Sequence, residues 1–288
     1  MKIKLGLIRG VCQLPAYIAM EKGYLDDKGF DYDYKIDPTA WLVPDQLVKG
    51  ELTFSIMPWT RTVSARDEGN DLLVIGGSGY EETAVVVNKE SDIQNLDDLN
   101  GKKISLPAVG GMKDITSQKL FEDYGISSDE TEVYRMPSGD AAVLSFLSGE
   151  VDATTNVEPF STLAVELGVG EIIARGGDIL PKSPGCSVTA SEEFVKNNEE
   201  EVVDFLDALK KANEFIYDNP KEAAELSSKY IGINGKVTRK ALKSNKPKLD
   251  IRDSIEAMDS VIEEMIELGY VNNKPEKFYD FSYLEKVL

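Results

Sequence analysis

The sequence predicts an α/β protein of two similar lobes, each a central mixed β-sheet flanked by helices, joined by two hinge crossovers with a ligand cleft between them. Three observations predict this. Strand, loop and helix alternate through the first two-thirds of the chain, and the same order restarts near residue 103. The 288 residues exceed one average domain and can bury a sizeable core. With 42% hydrophobic and 29% charged residues, the composition is that of an ordinary globular protein.

The first unit sets the pattern. Residues 3–8 are a short, mostly apolar run rich in β-formers, which suits a parallel strand buried on both faces. Arg9 to Gln13 breaks the run, and Pro15 fits a first helical turn, where a missing N–H costs nothing. The helix reaches Lys22 and stops at Gly23, a good residue just past a helix end. Such a unit points backbone N–H groups beyond the strand's carboxyl end, where ligands bind in open α/β sheets. Strands are expected next at 31–36, 52–57, 72–76 and 83–88, with helices after Trp41 and Pro58 and a short helical turn at 96–99.

The order then repeats. Residues 103–107 read as a strand, 110–113 as a loop and 114–124 as a helix, followed by a strand at 132–136, a helix from Pro137 to Ser148 and a strand at 151–155. Leu5 and Leu7 match Ile104 and Leu106, Pro38-Thr39 matches Pro137-Ser138, and Gly50-Glu51 matches Gly149-Glu150, each 99 positions apart. Two lobes of one design, each aiming its strand ends at a shared cleft, are the physical reading. Residues 186–190 carry the chain back to the first lobe, with hinge bending expected near 84–90 and 185–190. Helices follow at 201–217, 221–230, 237–243 and 251–268, the last with Ile255, Met258, Ile262 and Ile266 on one face. The expected division is 1–88 with 186–288 against 89–185.

Bulk counts exclude several functions. Net charge is −19, from 51 acidic and 32 basic residues, so there is no basic surface for nucleic acid. There is no histidine, which excludes Ser-His-Asp and Cys-His chemistry and any histidine-containing zinc site. No cofactor and no metal are expected. Two cysteines are too few for a disulfide scaffold; Cys12 and Cys186 read as free thiols, with a mutual bridge as the alternative. No apolar run is long enough for a spanning helix.

Four stretches, PAYIAMEKGYLDDKGFD (15–31), DQLVKGELTFSI (45–56), NLDDLNGKKISLP (95–107) and FLSGEVDATTNVEPF (146–160), carry a resemblance. In this order the chain resembles the type II periplasmic-binding fold. It is similar to the nitrate/sulfonate/taurine and thiamine-precursor group of ABC-transporter substrate-binding proteins. The likeness spans nearly the whole chain. It implies a monomer that captures a small-molecule ligand and delivers it to an ABC permease and ATPase, with no nucleic-acid partner. It also implies an extracytoplasmic location. Because a strand begins almost at Met1, that location requires a leader already removed, and a native start at Met1 would mean a cytoplasmic protein.

The loops after the strands supply the candidate binding residues. Trp41 and Trp59, the two tryptophans, suit a flat or cationic ligand or else close a core. Arg61 suits a carboxylate or sulfonate, or is merely solvated, and Arg9 is a weaker version of the same idea. Gly110 and Gly111, before Met112, allow close backbone approach or form a simple turn. Gln13, Thr39, Ser138 and Asn156 are small polar groups suited to orienting a ligand. Asp140 is a helix-start residue with a capping role as its alternative. Glu158 sits at the ligand-facing position that the resemblance implies and suits an amine or aminopyrimidine. Glu81 and Glu82 face the cleft or the hinge surface. Cys12 would be a nucleophile only with a depressed pKa, and otherwise is structural.

The expected function is a solute-binding protein without catalysis, holding a sulfonate, amino-compound or heterocycle. The alternative is a cytosolic enzyme or ligand sensor on the same fold, acting on a small heterocyclic or aromatic metabolite. The thiamine-pyrimidine synthase shares the fold, but that family implies an active-site histidine and a cysteine-rich segment, which this chain lacks.

Overall fold

A computed structural model describes residues 1–127 and 129–288. Its strands are β1 (Lys2–Leu7), β2 (Asp31–Ile36), β3 (Phe54–Pro58), β4 (Leu72–Gly77), β5 (Thr83–Asn88), β6 (Lys103–Leu106), β7 (Glu132–Arg135), β8 (Ala153–Val157), β9 (Gly170–Arg175) and β10 (Cys186–Ser191). Helices α1 (Leu14–Glu21), α2 (Val43–Val48), α3 (Trp59–Asp67), α4 (Met112–Asp123), α5 (Gly139–Leu147), α6 (Phe160–Glu166) and α7 (Gly176–Ile179) alternate with them. Helices α8 (Glu192–Asn197), α9 (Glu199–Asp218), α10 (Pro220–Ile231), α11 (Gly235–Ala241) and α12 (Ile255–Glu267) complete the chain.

The strands form two five-stranded sheets, in the orders β2-β1-β3-β10-β4 and β7-β6-β8-β5-β9. Both are mixed: the first three strands run parallel, and the fourth is antiparallel to its neighbours. The internal repeat extends to hydrogen-bond register. Leu5 pairs with Phe54 and Gly6 with Ser55, while Ile104 pairs with Ala153 and Ser105 with Thr154, each 99 positions on. Even a side-chain detail recurs, because the Ser55 hydroxyl donates to the Gly6 carbonyl and the Thr154 hydroxyl to that of Ser105.

Two expectations change. Thr83–Asn88 hydrogen-bonds into the second sheet, between β8 and β9, so the segment belonging to the first sheet ends before residue 83 rather than at 88. The connecting crossovers are therefore the stretches between β4 and β5 and between α7 and β10. They touch at an antiparallel bridge between Tyr80 and Pro184. Residues 84–88 and 186–190 are locked inside sheets, so bending falls on the stretches just before them. The edge strand β9 and helices α6 and α7 were not expected from the sequence. Their short runs, with half-buried Ile172 and Ile173 beside buried Gly170, show neither a clear alternation nor a clear helical period.

The first sheet is covered by the C-terminal helices, whose apolar faces supply the cover. Val202, Phe205, Leu206 and Leu209 of α9 are all buried, and Phe205 stacks on Phe54 of β3 with ring centroids 4.1 Å apart. Tyr230 of α10 stacks on Tyr17 of α1 at 4.5 Å. The C-terminal segment shields the open edge of β4 through the Val74 N–H to the Phe278 carbonyl and the Asp280 N–H to the Val74 carbonyl, both 2.9 Å. An edge paired in this way offers no template for association.

Candidate functional site

The cleft lies where the strand ends of the two sheets meet. Eighteen of its wall positions form nine pairs 99 residues apart: Ile8 with Pro107, Arg9 with Ala108, Cys12 with Gly111, Pro38 with Pro137, Thr39 with Ser138, Ala40 with Gly139, Trp41 with Asp140, Pro58 with Val157, and Arg61 with Phe160. Glu82, Met112, Lys113 and Cys186 complete the wall and have no such counterpart in it. Both lobes supply this wall, the arrangement of a ligand pocket at an interface between domains.

Several contacts hold the lobes closed around it. Arg9 Nη1 pairs with Asp140 Oδ2 at 2.6 Å. The Val11 N–H donates to the Glu158 carbonyl at 2.9 Å, and the Thr60 hydroxyl donates to the Gly110 carbonyl at 3.0 Å. Arg61 Nη2 donates to the Val109 carbonyl, while its Nε is buried without a partner. Burial lowers the Arg61 pKa from its ordinary value, with Asp114 opposing the shift.

The second lobe supplies a positive wall. The first turn of α4 (Gly111 as N-cap, then Met112 and Lys113) lines the cleft, and so does the start of α5 at Gly139. Helix starts carry unpaired N–H groups and partial positive charge. On α5, Ser138 uses its hydroxyl to accept from the Ala141 N–H at 3.2 Å. Lys113 is half-buried, and a Cβ placed on Gly139 would lie 3.4 Å from its Nζ, so the ammonium sits at the start of α5. Burial lowers its pKa, with Glu82 the largest opposing influence. Arg9 and Arg135 have carboxylate partners, whereas Lys113 has none within ion-pair distance among the described residues.

The structure thus brings Cys12, Thr39, Trp41, Arg61, Gly111, Met112, Ser138 and Asp140 together at the cleft. Trp41 stands at the mouth, 56% exposed. Five other candidates have different duties. Trp59 is fully buried in the core, donating from Nε1 to the Pro184 carbonyl at 2.9 Å and stacking on Phe278. It begins α3 on the face turned to the sheet, so it closes the core rather than gripping a ligand. Gln13 is buried, its amide donating to the Ile56 carbonyl and its oxygen accepting from the Ile8 N–H. Asn156 is equally buried and donates to the Gly139 carbonyl at 2.9 Å, which sets the start of α5 from behind. Gly110 adopts φ +77° and turns the chain against Arg61, with its N–H donating to Asp114.

Glu158 is the largest correction. Both carboxylate oxygens are engaged within its own lobe, Oε1 by Arg175 Nη1 and Oε2 by the Thr162 N–H, each at 3.0 Å. The side chain is buried and is not part of the cleft wall. Its partner Arg175 comes from β9, a strand whose mixed burial pattern leaves no clear alternation in the sequence.

No sequence pattern marks Lys113 or Cys186 as a site residue, and the sequence leaves Glu82 open between the cleft and the hinge surface. The offset of 99 was the available signal for most of the wall, and these residues fall outside it. Burial raises the pKa of Glu82 and of Cys12, while the Cys12 hydrogen bond, then burial, pushes the Cys186 thiol well up. None of these groups is an activated nucleophile. Among the described residues, no helix is long and apolar enough to cross a membrane.

Comparison with known proteins accords with this architecture. The NMT1/THI5-like family model matches residues 13–223. A Bacillus subtilis (strain 168) protein named for binding aliphatic sulfonates is 27% identical over 255 residues, covering 85% of this chain and 74% of that protein. The yeast (Saccharomyces cerevisiae) 4-amino-5-hydroxymethyl-2-methylpyrimidine phosphate synthase THI5 is 26% identical over 231 residues, covering 73% of this chain and 65% of that protein. Among solved structures, the alkanesulfonate-binding protein SsuA from Xanthomonas axonopodis pv. citri, bound to MOPS, aligns with TM-score 0.83 at 15% identity, covering 97% of this chain and 98% of that one. At that identity the likeness is one of fold.

Proposed function

Because the chain belongs to the NMT1/THI5-like family, we propose that it is a solute-binding protein, capturing one small polar organic molecule between its lobes for delivery to an ABC permease and ATPase. The observation that carries this reading is Lys113. It is a cation without an ion-pair partner among the described residues, set between two helix starts on the wall of the cleft between the lobes. A group of that kind is ready for an anionic oxygen.

In this reading a sulfonate or carboxylate head group lies against Lys113 and the first turns of α4 and α5. Ser138 and Thr39 orient it, Met112 and Gly111 pack beside it, and Trp41 covers an apolar or heterocyclic body at the mouth. Arg61 and the pair of Arg9 with Asp140 join the lobes over it, and Cys12 lies at the floor. The lobes are residues 1–82 with 186–288, and residues 83–185; closure bends the crossovers between them. The protein works as a monomer outside the cytoplasmic membrane. It performs no chemistry, and the sulfonate-binding name of the Bacillus relative favours a sulfonate over the other ligand classes.

The test is mass spectrometry of small molecules released after incubation with sulfonates, amino acids, aminopyrimidines and flavin fragments, paired with calorimetry of Lys113→Met. One compound recovered unchanged at 1:1, bound at least ~10-fold more weakly by Lys113→Met, is the expected result. Recovery of a chemically altered compound would replace binding by catalysis, and an unaffected Lys113→Met would remove the anion site.

A further inference from the structure

Three side chains that solute capture does not need converge at the hinge end of the cleft. Cys12 comes from the turn after β1, Glu82 ends the first crossover, and Cys186 opens β10 after the second. Their ligating atoms all lie within 4.8 Å of one another and all three residues are buried. The two sulfurs are 3.2 Å apart.

The carboxylate is held there by the backbone around it. Glu82 packs between Gly79 and Gly185, where a Cβ would fall 2.0 Å from Oε2 and 2.3 Å from Cδ respectively. Only glycine at both positions leaves room for this conformer. Yet Oε2 is buried and has no hydrogen-bond partner. A native interior rarely leaves such an oxygen unused.

We propose that Cys12, Glu82 and Cys186 bind a zinc-class divalent cation at the cleft floor, leaving its fourth coordination position turned toward the cleft. Two sulfurs select a borderline or soft ion over magnesium or calcium. Three protein ligands with one open position form the pattern of a zinc site that receives an exogenous ligand. Two thiolates and a carboxylate around a divalent ion leave one net negative charge, and Lys113, which interacts electrostatically with all three groups, offsets it. At a Zn–S distance of about 2.3 Å in a tetrahedron the sulfurs stand roughly 3.8 Å apart, so a small side-chain rotation opens the pair to fit. The cleft supplies the fourth ligand, either water or an oxygen of a bound solute. Because both crossovers contribute a ligand, the ion would also stiffen the hinge.

The site is tested on the full chain, reduced and stripped of metal, titrated with Co²⁺ and with Zn²⁺ against a chromophoric chelator. The expected result is one Co²⁺ per chain with thiolate-to-cobalt charge-transfer absorption, displaced by Zn²⁺ and indifferent to a hundredfold excess of Mg²⁺ or Ca²⁺. The near-isosteric Glu82→Gln should weaken Zn²⁺ binding at least tenfold, and Cys12→Ser with Cys186→Ser should abolish the charge-transfer band. Circular dichroism checks that each variant is folded. Cobalt binding without a charge-transfer band, or the same Zn²⁺ affinity in the double serine variant, would overturn the proposal. The readout needs no solute, so its failure leaves the solute-binding reading standing.

Discussion

Arg9 and Asp140 meet across the mouth of the cleft at 2.6 Å, one at the end of β1 and the other in the first turn of α5. Neither belongs to the other's sheet, so the pair exists only while the lobes are closed. Both side chains are substantially exposed, 50% and 36%, and exposed pairs contribute about 0–1 kcal/mol. That is small beside global stability but comparable to the balance between open and closed forms. Asp140→Asn is therefore expected to leave the denaturation midpoint nearly unchanged. It should enlarge the ligand-free radius of gyration in small-angle scattering and weaken solute binding by up to about fivefold, an effect reduced by salt.

The two tryptophans separate cleanly. Trp59 is fully buried against Phe278, and truncating a side chain of that size in a core costs about 3–5 kcal/mol. Trp41, 56% exposed at the mouth, fills no core. Urea denaturation should show Trp59→Ala strongly destabilised and Trp41→Ala within about 0.5 kcal/mol of the parent. Solute-induced fluorescence change should survive in a Trp59→Phe protein and vanish in Trp41→Phe.

How much of this was legible in the sequence depended on whether a residue's role is local. The offset of 99 was visible because apolar positions of β1 and β6 and the turn residues after the strands recur, and the structure carries the repeat into the register of Leu5 with Phe54 and Ile104 with Ala153. The same offset names most of the cleft wall. What the sequence hid was orientation and pairing. Trp59 starts a helix directly after a strand, and one residue's rotation there separates cleft from core. Glu158 is neutralised by Arg175 from a strand whose pattern is too weak to recognise. Glu82, Lys113 and Cys186 converge from three distant segments, and no local spacing records that.

Acid should remove a stabilising contribution that Glu192 makes where the chain returns to the first lobe. Glu192 opens α8 just after β10 and is bound by Arg66 and by Lys196 at 2.9 Å. The hydrogen bonds from Lys196 and then Arg66 hold its pKa at about 2, below the ordinary carboxylate range. A carboxylate whose pKa is depressed by folding adds stability that is complete above its unfolded value and is lost as pH falls toward the folded one. The window is therefore about pH 4.5 down to 2. Chemical denaturation between pH 6 and pH 3, conditions chosen to enter that window, should show a steeper loss for the parent than for Glu192→Gln, which starts lower and declines less. Equal slopes would show that other carboxylates dominate.

Glu158 supplies the sharpest division between scaffold and ligand site. Its carboxylate is buried, paired with Arg175 and capped by the Thr162 N–H, so it fixes the strand end of β8 to β9 and to the first turn of α6. Removing one partner of such a pair strands the other, at a cost of about 3–5 kcal/mol when both are buried and less when, as here, the arginine is 32% exposed. Glu158→Gln keeps the shape and can still accept from the Thr162 N–H, so about 1–3 kcal/mol of destabilisation is expected. Solute selectivity, measured by calorimetry across sulfonates and amines at a temperature where the variant is folded, should not change. A switch in preference from amines to acids in this variant would place Glu158 in contact with the ligand and overturn its assignment to the scaffold.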